Sequence, residues 1–245
     1  MKKCGIWAGL LFLATGCHFP PEEIGVVDDG RGTVRLSGSE TWKTAEYASI
    51  LVEGDELKTG RTESLALNLE DGLLVMNENT HLALGERTAE GFRRASYLGG
   101  DLFVMAESSP ARGFHLVTGA GDILIRKGSA ILRIDTLTPP ERKSEGPGEV
   151  RLQAVTVGGE VVLENLGLAR TLTRGQAAIL STGEAPTPPT SLPEEVIQDY
   201  EWILDQALGR QPRPAWSRPP LHAAPKRVEP EEAAEPPAKG EKEGD

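Results

Sequence analysis

The sequence predicts an all-β chain: a twisted sandwich or solenoid-like roll of short, mostly antiparallel strands, with one C-terminal helix and a disordered tail. Three observations carry this. Glycine is abundant (28 residues) while aromatics make up only 5%, the composition of many strands joined by tight turns. Leu65, Leu67 and Leu69 alternate with small or polar residues, and Asp71-Gly72 then turns the chain into Leu73–Met76. Period-two alternation broken by Asp-Gly is a hairpin signal, because glycine supplies a positive φ at no steric cost. Between 32 and 185, no window of a dozen residues shows a 3.6-residue period.

The elements are expected in five zones. Residues 1–16 have the layout of a secretory signal: Lys2-Lys3, an apolar run from Ile6 to Ala14, then small residues before Cys17. The run is too short to span a bilayer, which takes roughly 20 residues. Gly16-Cys17 resembles a bacterial lipobox, so Cys17 is the expected lipid-attachment site and the first residue of the mature chain. The acyl chains on its thiol would hold the protein to a membrane, since two or more chains suffice for stable anchoring. By the lipoprotein sorting pattern, His18 rather than an acid after the lipidated cysteine points to the outer membrane. Cys4 leaves with the signal, so no disulfide is expected.

Residues 17–31 read as a polar tether containing Pro20-Pro21 and a turn at Asp28-Asp29-Gly30. Residues 32–185 form the β-body. Further short strands are read at Leu102–Met105, Phe114–Val117, Ile123–Ile125, Ile131–Ile134, Val150–Val157, Val161–Leu163 and Ala177–Leu180. A form of glycine, a polar residue and then apolar residues recurs at 32, 100, 121 and 159, read as turn glycines entering strands. Residues 186–209 are a linker and a helix from Ser191 to Leu208. Ile197, Tyr200, Ile203, Leu204 and Leu208 form its apolar stripe, which either packs on the body or serves as a helix offered to a partner. Residues 210–245, rich in proline and charge, bury too little to offset their ordering entropy and are expected to be disordered.

The formal net charge of −11 makes nucleic acid a poor partner, since phosphates need a basic footprint. The four histidines (18, 81, 115 and 222) lack zinc spacing. His81 and His115 alternate with leucines and read as solvent-facing strand residues. Asp55 and Asp71, each beside a glycine, read as turn formers. No residue pattern calls for a metal, a cofactor or a catalytic set.

Glu53-Gly54-Asp55-Glu-Leu57-Lys-Thr59-Gly60-Arg61, the strand ending in Asp71-Gly72 and Asn79-Thr80-His-Leu-Ala-Leu84 resemble the FecR-type domain. Leu98-Gly-Gly-Asp-Leu-Phe-Val104, Phe114–Thr118, Gly128–Ile134, Gly158–Val161 and Leu172-Thr-Arg-Gly175-Gln176 follow in that family's order. The resemblance spans about residues 25–182. It implies an all-β extracytoplasmic domain that binds other proteins, with Gly54, Asp55, Thr59, Gly60, Asp71 and Gly72 as structural turn residues. The family's signalling members also carry a transmembrane helix and a cytoplasmic anti-sigma bundle, neither of which is found in this sequence.

The expected function is therefore a non-enzymatic envelope lipoprotein whose β-domain is a protein-binding or scaffold module, its partner another envelope protein. One alternative is a binder of cell-wall carbohydrate or peptidoglycan, for which Trp42 with Tyr47, and Tyr97 with Phe103, are the aromatic candidates. Another is an accessory part of an extracytoplasmic signalling system without its own anti-sigma domain.

Overall fold

The computed structural model describes residues 22–107, 112–137 and 149–207. Fifteen strands join one hydrogen-bonded sheet. In chain order they are β1 (Glu23–Gly30), β2 (Thr33–Arg35), β3 (Lys43–Thr44), β4 (Ile50–Val52), β5 (Glu56–Lys58), β6 (Leu65–Leu69), β7 (Gly72–Met76), β8 (His81–Arg87), β9 (Arg93–Ala106), β10 (Phe114–Thr118), β11 (Gly121–Leu137), β12 (Glu149–Asn165), β13 (Leu168–Thr173), β14 (Gln176–Ser181) and β15 (Thr190–Ser191). One helix, α1 (Glu194–Ala207), follows. The class is all-β, as expected. Every described strand pairing is antiparallel except β9 with β10.

Three strands are longer than their apolar runs indicate: β9 has 14 residues, and β11 and β12 have 17 each. Each changes partners partway. β9 pairs with β8 and β10 up to Gly99, then with β7 and β11 from Gly100. β11 leaves β10 after Ile125 and joins β9 at Gly128. β12 passes from β14 to β13 across Gly158-Gly159. The sheet thus divides into two halves that share these strands. One half runs β3–β2–β5–β8–β9–β10–β11–β12–β13, and the other runs β4–β1–β6–β7–β9–β11–β12–β14–β15. Their inner faces meet in one apolar cluster, with Leu57, Leu82 and Phe114 from the first half and Leu67, Leu74 and Leu152 from the second. Each such side chain contributes about 1.5–3 kcal/mol when buried.

Several expectations are corrected. The tether read over 17–31 is shorter, because Glu23–Gly30 is β1, paired between β4 and β6 with Ile24 and Val27 buried. Ile24, Val26 and Val27 between acids were too short a pattern to show it. The turn read at Asp28-Asp29-Gly30 is a bulge in β1, where register slips between Val27 and Asp29. Leu102–Met105, Ile123–Ile125, Ile131–Ile134, Val150–Val157 and Val161–Leu163 are segments of the three long strands, not separate strands. Gly100 and Gly159 lie inside strands, where the long strands change partners. At Gly100, φ is +88° and a Cβ would fall 2.5 Å from the Thr80 Cα, so only glycine fits this close approach.

The helix begins at Glu194 rather than Ser191. Thr190 and Ser191 instead pair with Ala177 and Gln176, and the Pro193 carbonyl accepts from the N–H groups of Val196 and Ile197. Glu194 and Glu195 occupy the first turn, where the helix dipole favours acids. Ile197, Tyr200, Ile203 and Leu204 are buried. The stripe faces the chain's own body, with Ile197 against Gly175. Arg174, at the β13–β14 turn, binds the carboxylates of Glu194 and Glu201 at 3.0 and 2.8 Å. Leu208 and the tail lie outside the described residues.

Candidate functional site

The turn residues form two structural devices. Asp55 is fully buried. Its carboxylate accepts from the Val52 N–H at 3.0 Å and the Ser37 N–H at 2.8 Å, tying the β4–β5 turn around Gly54 to the β2–β3 loop. Thr59 is buried, and its hydroxyl accepts from the Thr80 N–H at 3.0 Å and donates to the Asn77 carbonyl. The Thr80 hydroxyl in turn donates to the Asp101 carbonyl at 2.8 Å and accepts from the Asp101 N–H at 3.1 Å. A ladder thus climbs Thr59, Thr80 and Asp101 across successive strand ends. Gly60 closes its own turn by donating to the Glu63 carboxylate, and the Gly60 carbonyl accepts from the Asn79 N–H at 3.1 Å.

Asp71 is more than a turn former. Its carboxylate is buried and binds Arg93 Nε at 3.2 Å and the Arg87 guanidinium. Arg93 is only 1% exposed and also donates to Glu53 at 2.8 Å. Arg87 reaches Glu70 at 2.9 Å. Burial opposes the charge on Arg87, but the hydrogen bonds it donates to Glu70 and Asp71 raise its pKa above the usual value. Sequence reasoning missed Arg87 and Arg93, because strand arginines read as solvated. The hydrogen-bonded pairing of every buried charge marks this network as structural. Gly72 starts β7, and a Cβ there would fall 2.0 Å from the Met105 carbonyl oxygen.

The candidate site lies on the outer face of β2, β5 and β8. The registers place Arg35 opposite Glu56 and Lys58 opposite His81, while Val34, Leu57 and Leu82 point into the core. Half-buried Trp42, just before β3, covers this row. The Lys58 ammonium sits 4.2 Å from its ring centroid and the Arg35 guanidinium 5.3 Å. The His81 ring meets it edge-on at 6.2 Å. The Glu56 carboxylate is held between Arg35 and His81 Nε2, the latter at 3.2 Å. Burial works against the Glu56 charge, yet hydrogen bonds from Arg35 and His81 hold its pKa below the usual value. Burial pushes the His81 pKa down, with Lys58 and Arg35 adding to the shift and Glu56 opposing it. Together these favour the neutral imidazole.

His81 and His115 lie on the outward faces of their strands, alternating with buried neighbours as expected, but are half-buried there, and His115 Nε2 lies 3.5 Å from the Asp122 carboxylate. Of the aromatic pairs, Tyr97 and Phe103 are buried and offer no ring to a sugar. Tyr47 is 79% exposed. An open groove of about 550 Å³ runs along β1 and β6 and is lined by Glu23, Glu70, Glu107 and Arg112 among others. Arg112 donates to the Glu70 carbonyl at 2.7 Å across it. Among the described residues, no group of three or more His, Cys, Asp or Glu could hold a metal ion, and no helix is long and apolar enough to cross a membrane. Cys17 lies outside the described residues.

No family model matches the chain, and no curated protein matches it either. Two crystal structures of a candidate anti-sigma factor from Parabacteroides distasonis, at 1.65 and 2.50 Å resolution, share 13% and 14% identity with it at a TM-score of 0.45. The alignment covers 60% of this chain and 64% and 63% of those chains. The chain therefore spans less than two thirds of the length of those neighbours, and likeness of this degree carries no functional argument.

Proposed function

We propose that this protein is a non-enzymatic cell-envelope lipoprotein, anchored through Cys17, whose FecR-like β-domain binds another envelope protein through the face that carries Trp42. The observation behind this reading is Trp42 itself. It is a half-buried tryptophan on a rigid three-strand platform, flanked by Arg35 and Lys58 and ringed by polar side chains. Tryptophan and arginine dominate the energetically decisive positions of protein interfaces, and a polar surround excludes water from them. Arg35 and Lys58 project from strands and Trp42 packs against both, so less conformational entropy is lost on binding than from free side chains.

The same geometry weighs against a sugar-stacking role. A neutral sugar brings no carboxylate to draw the Lys58 ammonium off the Trp42 ring. The test is cross-linking in native membranes followed by purification of wild-type and Trp42→Ala protein. Recovery of a stoichiometric protein partner with the wild type, its loss with Trp42→Ala and its retention on changing Trp202, an exposed tryptophan of α1 away from this face, to alanine support the reading. No protein partner, together with saturable binding to purified cell-wall glycan, overturns it.

A further inference from the structure

We infer that the Trp42 face receives an acidic peptide segment of the partner, laid along the edge of β3. The inference rests on the protein-binding reading above and names the partner's chemistry.

The chain as a whole carries a formal charge of −11, yet the outward side chains of β2, β5 and β8 at this face reverse that balance. Two permanent cations, Arg35 and Lys58, stand against one carboxylate, Glu56, with His81 beside them. Glu56 also shows how the face holds a carboxylate: one oxygen accepts from the Arg35 guanidinium and the other from His81 Nε2. Lys58 differs from Arg35. Among the described residues it makes no ion pair, and its ammonium rests over the Trp42 ring. A cation–π contact at a partly exposed site is worth about 0.5–1 kcal/mol. An incoming carboxylate draws Lys58 off the ring at little cost, and the uncovered ring then accepts an apolar side chain of the same segment.

The strand edge argues for a peptide over a glycan or a lipid headgroup. Among the described residues, β3 ends this half of the sheet and pairs only with β2. Trp42 immediately precedes it, so the free edge runs directly beside the ring. An extended peptide adds to such an edge through its main chain, and alternate side chains then reach the sheet face. Neither a glycan nor a headgroup makes those main-chain bonds.

The test is selection from a display library of random twelve-residue peptides on the full chain. The recovered peptides are then titrated calorimetrically against wild type, Trp42→Ala and Lys58→Gln. The expected result is enrichment of Asp and Glu, at least tenfold weaker binding by each variant, and affinity that falls as salt rises. Recovery of neutral or basic peptides, no enrichment, or equal affinity for wild type and Lys58→Gln overturns the inference. So does Lys58-dependent binding of phosphatidylglycerol vesicles without peptide enrichment. The two readings fail differently in membrane cross-linking. A partner lost with Trp42→Ala but retained with Lys58→Gln removes the acidic segment and leaves protein binding standing, whereas no protein partner removes both.

Discussion

Asp71 and Arg93, 22 positions apart, form an ion pair in which neither side chain meets solvent: Arg93 Nε lies 3.2 Å from Asp71 Oδ2, and the two side chains are 2% and 0% exposed. The pair links the turn into β7 with the start of β9. Its energetic weight lies in what removing one partner would leave behind. Asp71→Ala takes the Nε partner from a guanidinium buried away from water, leaving it Glu53 and the Gly85 carbonyl, and costs up to about 3–5 kcal/mol of folding stability, a large share of the ~5–15 kcal/mol typical of a domain. Glu70→Ala, at a side chain 42% exposed, costs about 0–1 kcal/mol. Urea unfolding followed by circular dichroism checks both, and equal effects would refute the distinction.

Helix α1 depends on Ile197, which is buried against Gly175. Ile197→Ala is expected to weaken helix docking by about 2–5 kcal/mol. The helix has no partner other than the body among the described residues, so the change should appear as local opening. Amide exchange should rise across Glu194–Ala207 while β9, β11 and β12 stay protected. Unchanged exchange in the helix would show that the stripe does not hold it.

The pH dependence follows from His81, whose neighbours are Glu56, Lys58, Arg35 and Trp42. Its pKa is lowered by folding, chiefly through burial, so the unfolded chain takes up the proton first as pH falls. Stability therefore declines below the ordinary histidine value of about 6.5. Glu56, with its pKa also lowered, contributes stability that is present above its ordinary value and is lost as pH falls below it. His81→Gln should flatten the decline just below pH 6.5 and leave the more acidic decline in place. Thermal denaturation from pH 7.5 to 4 reads both limbs, and an unchanged upper limb in the variant would rule out His81 as its source.

The proposed lipid anchor is tested at Cys17. Cys17→Ala should move the protein from the membrane fraction to the soluble fraction of lysed cells, detected by immunoblot. Continued membrane association would show that something other than the lipid holds it.

The all-β class, the hairpin at Asp71-Gly72 and the helix stripe were legible because each rests on local periodicity. Leu65, Leu67 and Leu69 alternate inward, and Ile197, Tyr200, Ile203 and Leu204 recur at helical spacing whatever surrounds them. Asp55 beside Gly54 was legible as a turn former from its own chemistry, whereas Thr59 and Gly60 stood out only through the resemblance to the FecR-type domain. Other features depend on groups far apart in the chain. The sequence did not show that β9, β11 and β12 run through both halves of the sheet, since each contains a glycine that reads as a break. It did not show β1, whose two inward residues form a strand only when β4 and β6 lie on either side. It marked Asp71 as a turn residue, but only the fold brings Arg87 and Arg93 to its carboxylate. Trp42 stood out as an aromatic in a chain with few. Its setting among Arg35, Glu56, Lys58 and His81 was decided by strand register, because one residue of slip would turn that charged row into the core. Local chemistry determined which elements form, and long-range pairing decided which side chains share a face.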